Sequence, residues 1–213
     1  MDVRCPSINL SDTAALAQLG ADALAVGLFA DQAQQPLRLA LEQLLGASDS
    51  QALEQRLSQR GFKAKPGECL CFERLGGTPA HLIVVGLGEP ARFDLTGRRQ
   101  ATASACKAAA PATSLALALP IEGLAPQAAA CAMAEAARLA LYVDQRFKSE
   151  SEPARTLGSL QLLGLSAENN SALEQAAATC SGVELARQLV AAPPNVATPE
   201  HLADTAAGIA REF

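Results

Sequence analysis

The runs HLIVVGL (residues 81–87) and SLALALP (residues 114–120) are apolar at odd and even positions alike. Successive side chains on a strand point to opposite faces, so strands of this kind must be covered on both sides. A sheet with helices on both faces does this, and it requires strand and helix to alternate along the chain. Composition narrows the choice. Valine and isoleucine number 12 among 213 residues, against 46 alanines and 32 leucines, so strands should be few and short. An all-β fold does not fit.

The remaining segments follow the alternation. Predicted strands are Val3–Leu10, Asp22–Phe29, Glu68–Arg74, His81–Leu87, Ser114–Leu119 and Ser159–Leu165. Gly76-Gly77 and Pro79 mark a tight turn that suggests a hairpin between the third and fourth. Helical spacing covers Leu37–Leu45 with Gln51–Gln59, stopped by Gly61 and Pro66, and then Leu95–Ala109, ended by Pro111. Pro126 is a natural first residue for a helix over Gln127–Val143. There Ala132, Ala136, Leu139, Ala140 and Val143 form one stripe, and Glu135, Arg138 and Tyr142 share another face. The expected fold is α/β, a mixed sheet flanked by helices over residues 1–165.

Ser166 to Ala192 reads as one helix of roughly seven turns. Leu173, Ala176, Cys180, Val183, Ala186 and Val190 make its stripe, and Ala178, Gly182, Leu185 and Leu189 widen it. Such breadth suits a helix wedged between two bodies of protein, and equally an alanine-rich helix over one core. Pro193-Pro194-Asn195 stops it. A new helix begins at Thr198-Pro199-Glu200, with an N-cap hydroxyl, proline at the first position and an acid in the first turn. Little of this chain is left for that helix to pack on, and short isolated helices are marginal in water. The sequence is therefore expected to be cut from a longer one.

Charge and chemistry exclude more than they offer. The balance is 17 basic against 22 acidic residues, net −5, and residues 111–213 carry all of the excess. A nucleic-acid footprint needs the opposite sign, and 3% aromatics without tryptophan supply no stacking platform. The densest basic stretch, Arg92, Arg98, Arg99 and Lys107, reads as a solvated helix face. Cys5, Cys69, Cys71, Cys106, Cys131 and Cys180 are expected as reduced thiols in apolar packing. Cys69 and Cys71 share a strand face but lack the C-x2-4-C spacing of zinc sites. His81 and His201 belong to no H-E-x-x-H motif, and there is no G-x-S-x-G. Ser104-Ala105-Cys106-Lys107 matches S-x-x-K without the companion S-D-N and K-T-G motifs.

Gly86-Leu87-Gly88 follows a buried strand, where α/β folds hold phosphates. Glu89-Pro90 comes next and no third glycine completes the fingerprint, so a tight βα turn is expected. The start, MDVRCPSINL, shows no secretory pattern, and no run approaches about 20 apolar residues. A cytoplasmic protein is the expectation.

Two stretches carry more. EAARLALYVDQRFKSESE (residues 135–152) and ELARQLVAAPPNVATPEHLA (residues 184–203) resemble the leucyl aminopeptidase (cytosol aminopeptidase) family, most closely its cyanobacterial or plastid branch. Tyr142, Phe147, Lys148 and Ser149 match a helix end that closes the family's N-terminal domain. Arg187, Leu189, Val190, Pro193, Pro194, Asn195, Thr198 and Pro199 match the entry to its catalytic domain. Ala136 departs from the pattern, which often has glycine after the glutamate, and this touches helix packing alone.

The resemblance implies a macro-domain-like N-terminal unit over 1–165, an interdomain linker helix over 166–195 and the start of a catalytic domain over 196–213. It implies a hexameric exopeptidase that removes N-terminal residues, often leucine, with two divalent metals, zinc or manganese. The family's ligands lie in K-G-x-T-F-D and N-T-D-A-E-G-R segments, and neither occurs in this sequence. No catalytic, cofactor-binding or metal residue is therefore assigned to this chain, whose own part would be assembly and active-site access. The contrasting reading is a free-standing module that binds a nucleotide or ADP-ribose at the Gly86–Gly88 turn. Nucleic-acid and membrane partners are not expected.

Overall fold

Both unbroken apolar runs lie near the centre of one six-stranded sheet. The computed structural model describes residues 7–11, 20–30, 47–73, 78–109, 112–121, 123–147 and 157–212. Cys5, the predicted helix Leu37–Leu45, the Gly76-Gly77 turn and Lys148 to Glu152 lie outside them. The strands are β1 (Ser7–Ser11), β2 (Ala23–Phe29), β3 (Cys69–Glu73), β4 (His81–Gly88), β5 (Ser114–Ala118) and β6 (Ser159–Leu163). Their order is β1-β6-β5-β2-β4-β3. Every pairing is parallel except β3 with β4, the expected hairpin, in which Cys71 stands opposite Ile83.

Register sorts the side chains onto two faces. Ile83, Val85, Leu115 and Leu117 join one core, while Leu82, Val84, Ala116 and Ala118 join the other. Each strand thus feeds both cores from alternate positions, as its sequence requires. Helix α1 (Ala47–Gln59) closes the second core through Leu53 and Leu57. Helices α2 (Leu95–Ala108) and α3 (Pro126–Leu141) close the first.

Helix α3 is sandwiched, not half-exposed. Ala129, Ala130, Ala132, Met133, Ala134, Ala136 and Ala137 are all buried, because it packs on the sheet, on α2 and on α4 (Asn170–Ala191). A short 3-10 turn, Ala167–Asn169, precedes α4, so the predicted helix from Ser166 begins a turn later. The last helix, α5 (Pro199–Glu212), starts where expected: the Thr198 hydroxyl accepts the His201 amide proton at 3.2 Å. No helix among the described residues is long and apolar enough to cross a membrane.

Candidate functional site

Ligands of open parallel sheets sit beyond the C-terminal ends of the strands. At the end of β4 that place is filled by the chain itself. The Gly86 amide donates to the Glu68 carbonyl and the Gly88 amide to the Ala64 carbonyl, each at 2.7 Å. A Cβ on Gly86 would stand 2.2 Å from the Lys65 carbonyl oxygen, and Gly88 holds φ +76 against Pro66. The glycines admit a crossing backbone, residues 64–68, at contact distance. They form a tight turn whose two glycine amides are already bound, so the nucleotide-binding reading gains no support. The start of α2 is closed as well, because the Asp94 carboxylate accepts the Gly97 amide proton at 2.9 Å.

Beside that turn, Phe93 stands edge-on to Phe29 with ring centroids 5.2 Å apart. The Arg98 guanidinium covers the Phe93 ring at 4.5 Å, and its Nε donates to the Pro120 carbonyl at 3.0 Å. Arg98 is 1% exposed, which corrects its assignment to a solvated face. Only Arg92, Arg99 and Lys107 of that stretch reach solvent, and Arg99 pairs with Glu135 at 2.9 Å. A cation so placed is tolerated because carbonyls and a ring face replace its water.

The two family-like stretches, far apart in sequence, meet along α3 and α4. Arg138 forms a two-pronged pair with Glu184: Nε to Oε1 at 2.7 Å and Nη2 to Oε2 at 2.8 Å. It also donates to the Ala177 carbonyl and the Ser181 hydroxyl. Arg187 returns the contact, donating to the Leu139 carbonyl at 3.2 Å with its guanidinium 5.5 Å from the Tyr142 ring centre. Burial raises the Tyr142 hydroxyl above its ordinary pKa. Arg146, paired with Asp144, donates to the Gln188 carbonyl at 2.7 Å.

The buried edge of α4 is therefore Ala172, Ala176, Cys180 and Glu184. The predicted stripe is rotated, since only Ala176 and Cys180 of it are buried and Val190 is 89% exposed. Glu184 escaped sequence reading because a charged residue is not scored as core. An arginine at a matching place on the other helix was the available signal.

Thiols offer little chemistry. Cys106 and Cys180 are buried, Cys69 and Cys131 are half-buried and Cys71 is exposed, so uniform burial was not the outcome. Desolvation pushes Cys69 up to about 11 and Cys106 up to about 12, which keeps both protonated and poorly nucleophilic at neutral pH. His81 opens β4 half-buried, His201 is exposed on α5, and on α2 Ser104 is half-buried and Lys107 exposed. Among the described residues no three His, Cys, Asp or Glu side chains come together to hold a metal ion. The two-metal centre implied by the resemblance does not fit them. An open groove of about 570 Å³ beside β3, lined by Arg56, Gln59, Arg60, Cys71, Phe72 and Glu73, contains no motif residue.

Known proteins resemble this chain in sequence and in fold. Residues 25–151 match the N-terminal domain of the Cytosol aminopeptidase family. A probable cytosol aminopeptidase of Parasynechococcus marenigrum is 50% identical over 201 residues, covering 93% of this chain and 39% of that protein. One from a Synechococcus species is 45% identical over 215 residues, covering 100% and 41%. The chain thus spans about two fifths of the length of the curated relatives it matches. A mutant of tomato leucine aminopeptidase superimposes with TM-score 0.81 and 32% identity over 100% of this chain and 43% of its own. The bottromycin maturation enzyme BotP, solved in complex with Mn, gives 0.67 and 26% over 91% and 37%. The chain belongs to the cytosol aminopeptidase family and carries that family's N-terminal domain.

Proposed function

We propose that this chain is the non-catalytic N-terminal part of an aminopeptidase that removes N-terminal residues, leucine preferred, from peptides. The observation that carries the reading is the match over residues 25–151 to an N-terminal domain in relatives about two and a half times as long. Among the described residues, Cys69 and Cys106 are held protonated and the carboxylates do not converge. Bridging two metal ions takes several convergent carboxylates. In this reading the metals, zinc or manganese, are held by residues outside the described ones, and the manganese complex of BotP supports that metal class.

Residues 1–165 form the N-terminal macro-domain-like unit, 166–195 the linker and 196–213 the first catalytic-domain helix. The chain serves assembly of a cytoplasmic homo-hexamer and shapes access to the active site. The test is hydrolysis of leucine p-nitroanilide with added manganese or zinc. The 213-residue chain should give nothing above blank, while a polypeptide of the relatives' full length should turn over and lose activity to a chelator. Turnover by the short chain would sink the reading.

A further inference from the structure

The seam between α3 and α4 poses a register problem that its apolar residues do not solve. On α4 the buried positions Ala172, Ala176 and Cys180 recur every four residues and are all small. Opposite them α3 presents mostly alanine. Sliding α4 by one turn, about 5.4 Å, would set one small residue where another had been, so packing shape discriminates weakly between the two positions. The next member of the series is Glu184, and it is different. It is 6% exposed as a residue, and its carboxylate takes both prongs of Arg138. A slip would strand a buried carboxylate away from its cation.

The other two crossing arginines act in the same half of the helix. Arg187 reaches back to Leu139, and Arg146 reaches the Gln188 carbonyl. The first half of α4 is held by small apolar side chains and by one amide, since Gln127 Nε2 donates to the Ser171 hydroxyl at 2.8 Å, while most of the arginine contacts fall in the second half.

We propose that Arg138 and Glu184 are positioning residues that fix the register of α4 on α3, and with it the place from which α5 departs. Resting on the reading above, they would act on peptide hydrolysis only by setting where the catalytic portion begins. A buried ion pair is a poor source of net stability, since apolar replacement of both partners is often neutral or better. It is a good source of register, because one arrangement alone satisfies it.

The test separates the two roles. In the 213-residue chain, the paired change Arg138→Met with Glu184→Leu should leave Tm within about 3 °C. Amide-exchange protection over residues 181–191 should nevertheless fall about tenfold, with residues 171–176 unchanged. Unchanged protection over 181–191 would overturn the proposal, because packing alone would then hold the register. Should that variant not fold, the exchanged pair Arg138→Glu with Glu184→Arg replaces it. It should recover protection relative to either single change, and no recovery would overturn the proposal. Failure of the full-length protein to hydrolyse peptides would remove the aminopeptidase reading and leave the exchange result standing.

Discussion

Leu160 and Leu162 in the middle of β6 are 1% and 0% exposed, whereas Val190, near the end of α4, is 89% exposed. The sheet body is held by branched side chains pressed between helices on two faces. The arm made by α4 and α5 is held by a line of small residues, one ion pair and a few side-chain hydrogen bonds to carbonyls and hydroxyls. The exposed large apolar residues of the described chain, Phe147, Val190, Leu202 and Ile209, all lie in or beside this arm. The contrast shows two kinds of specificity. Shape complementarity decides the body, and hydrogen-bond geometry decides where the arm lies.

Substitutions can attack each half. The largest loss is expected from Gly86→Val, because the new side chain meets the backbone of residues 64 and 65, which has no rotamer to change. A loss of roughly 4 kcal/mol or more is expected, read as a Tm fall beyond ~8 °C. A smaller fall would mean that the 64–68 crossing can yield. Glu184→Ala should cost less, about 2–3 kcal/mol in urea titration. The stranded Arg138 side chain is 20% exposed and recovers some water, which reduces the penalty. A loss above that of Gly86→Val would invert the contrast.

Smallest at neutral pH is a pH dependence inside the body. The Cys106 thiol, raised by burial to about 12 from an ordinary 9.0, stays neutral in the fold when the unfolded chain has begun to ionise. Stability from this source is complete below pH 9 and drains as pH rises towards about 12. Cys106→Ala should flatten that decline. At neutral pH, among the described thiols, Ellman's reagent should reach exposed Cys71 first and Cys106 only on unfolding. Early reaction of Cys106 would show a body looser than its packing implies.

Much of the body was legible because its signals are local. Runs such as HLIVVGL declare coverage on both faces, and the Thr198-Pro199-Glu200 start declares a helix end that the structure places at the same residue. The seam was legible as family likeness and as the face shared by Glu135, Arg138 and Tyr142, but its partner on α4 was not. Glu184 and Arg98 defeat hydrophobic periodicity because each is a charge made tolerable by a partner distant in sequence: Arg138 for one, the Pro120 carbonyl for the other. Cys71 erred the other way. It stands on the edge strand of the described sheet, so an apolar-looking residue meets solvent. The glycine pair reads as the tight turn it forms, with the absent third glycine as the guide, since a close backbone crossing and a phosphate cradle ask for the same residue.

Helix α4 also works as a lever. Its 22 residues span roughly 33 Å, so a tilt of about 5° at its anchored start would carry its free end through about 3 Å. The guanidinium of Arg138 grips Glu184 past the midpoint of that arm, nearer the tip than the fulcrum, where a short tether limits the swing directly. Aim, in this molecule, is delegated to a handful of polar side chains.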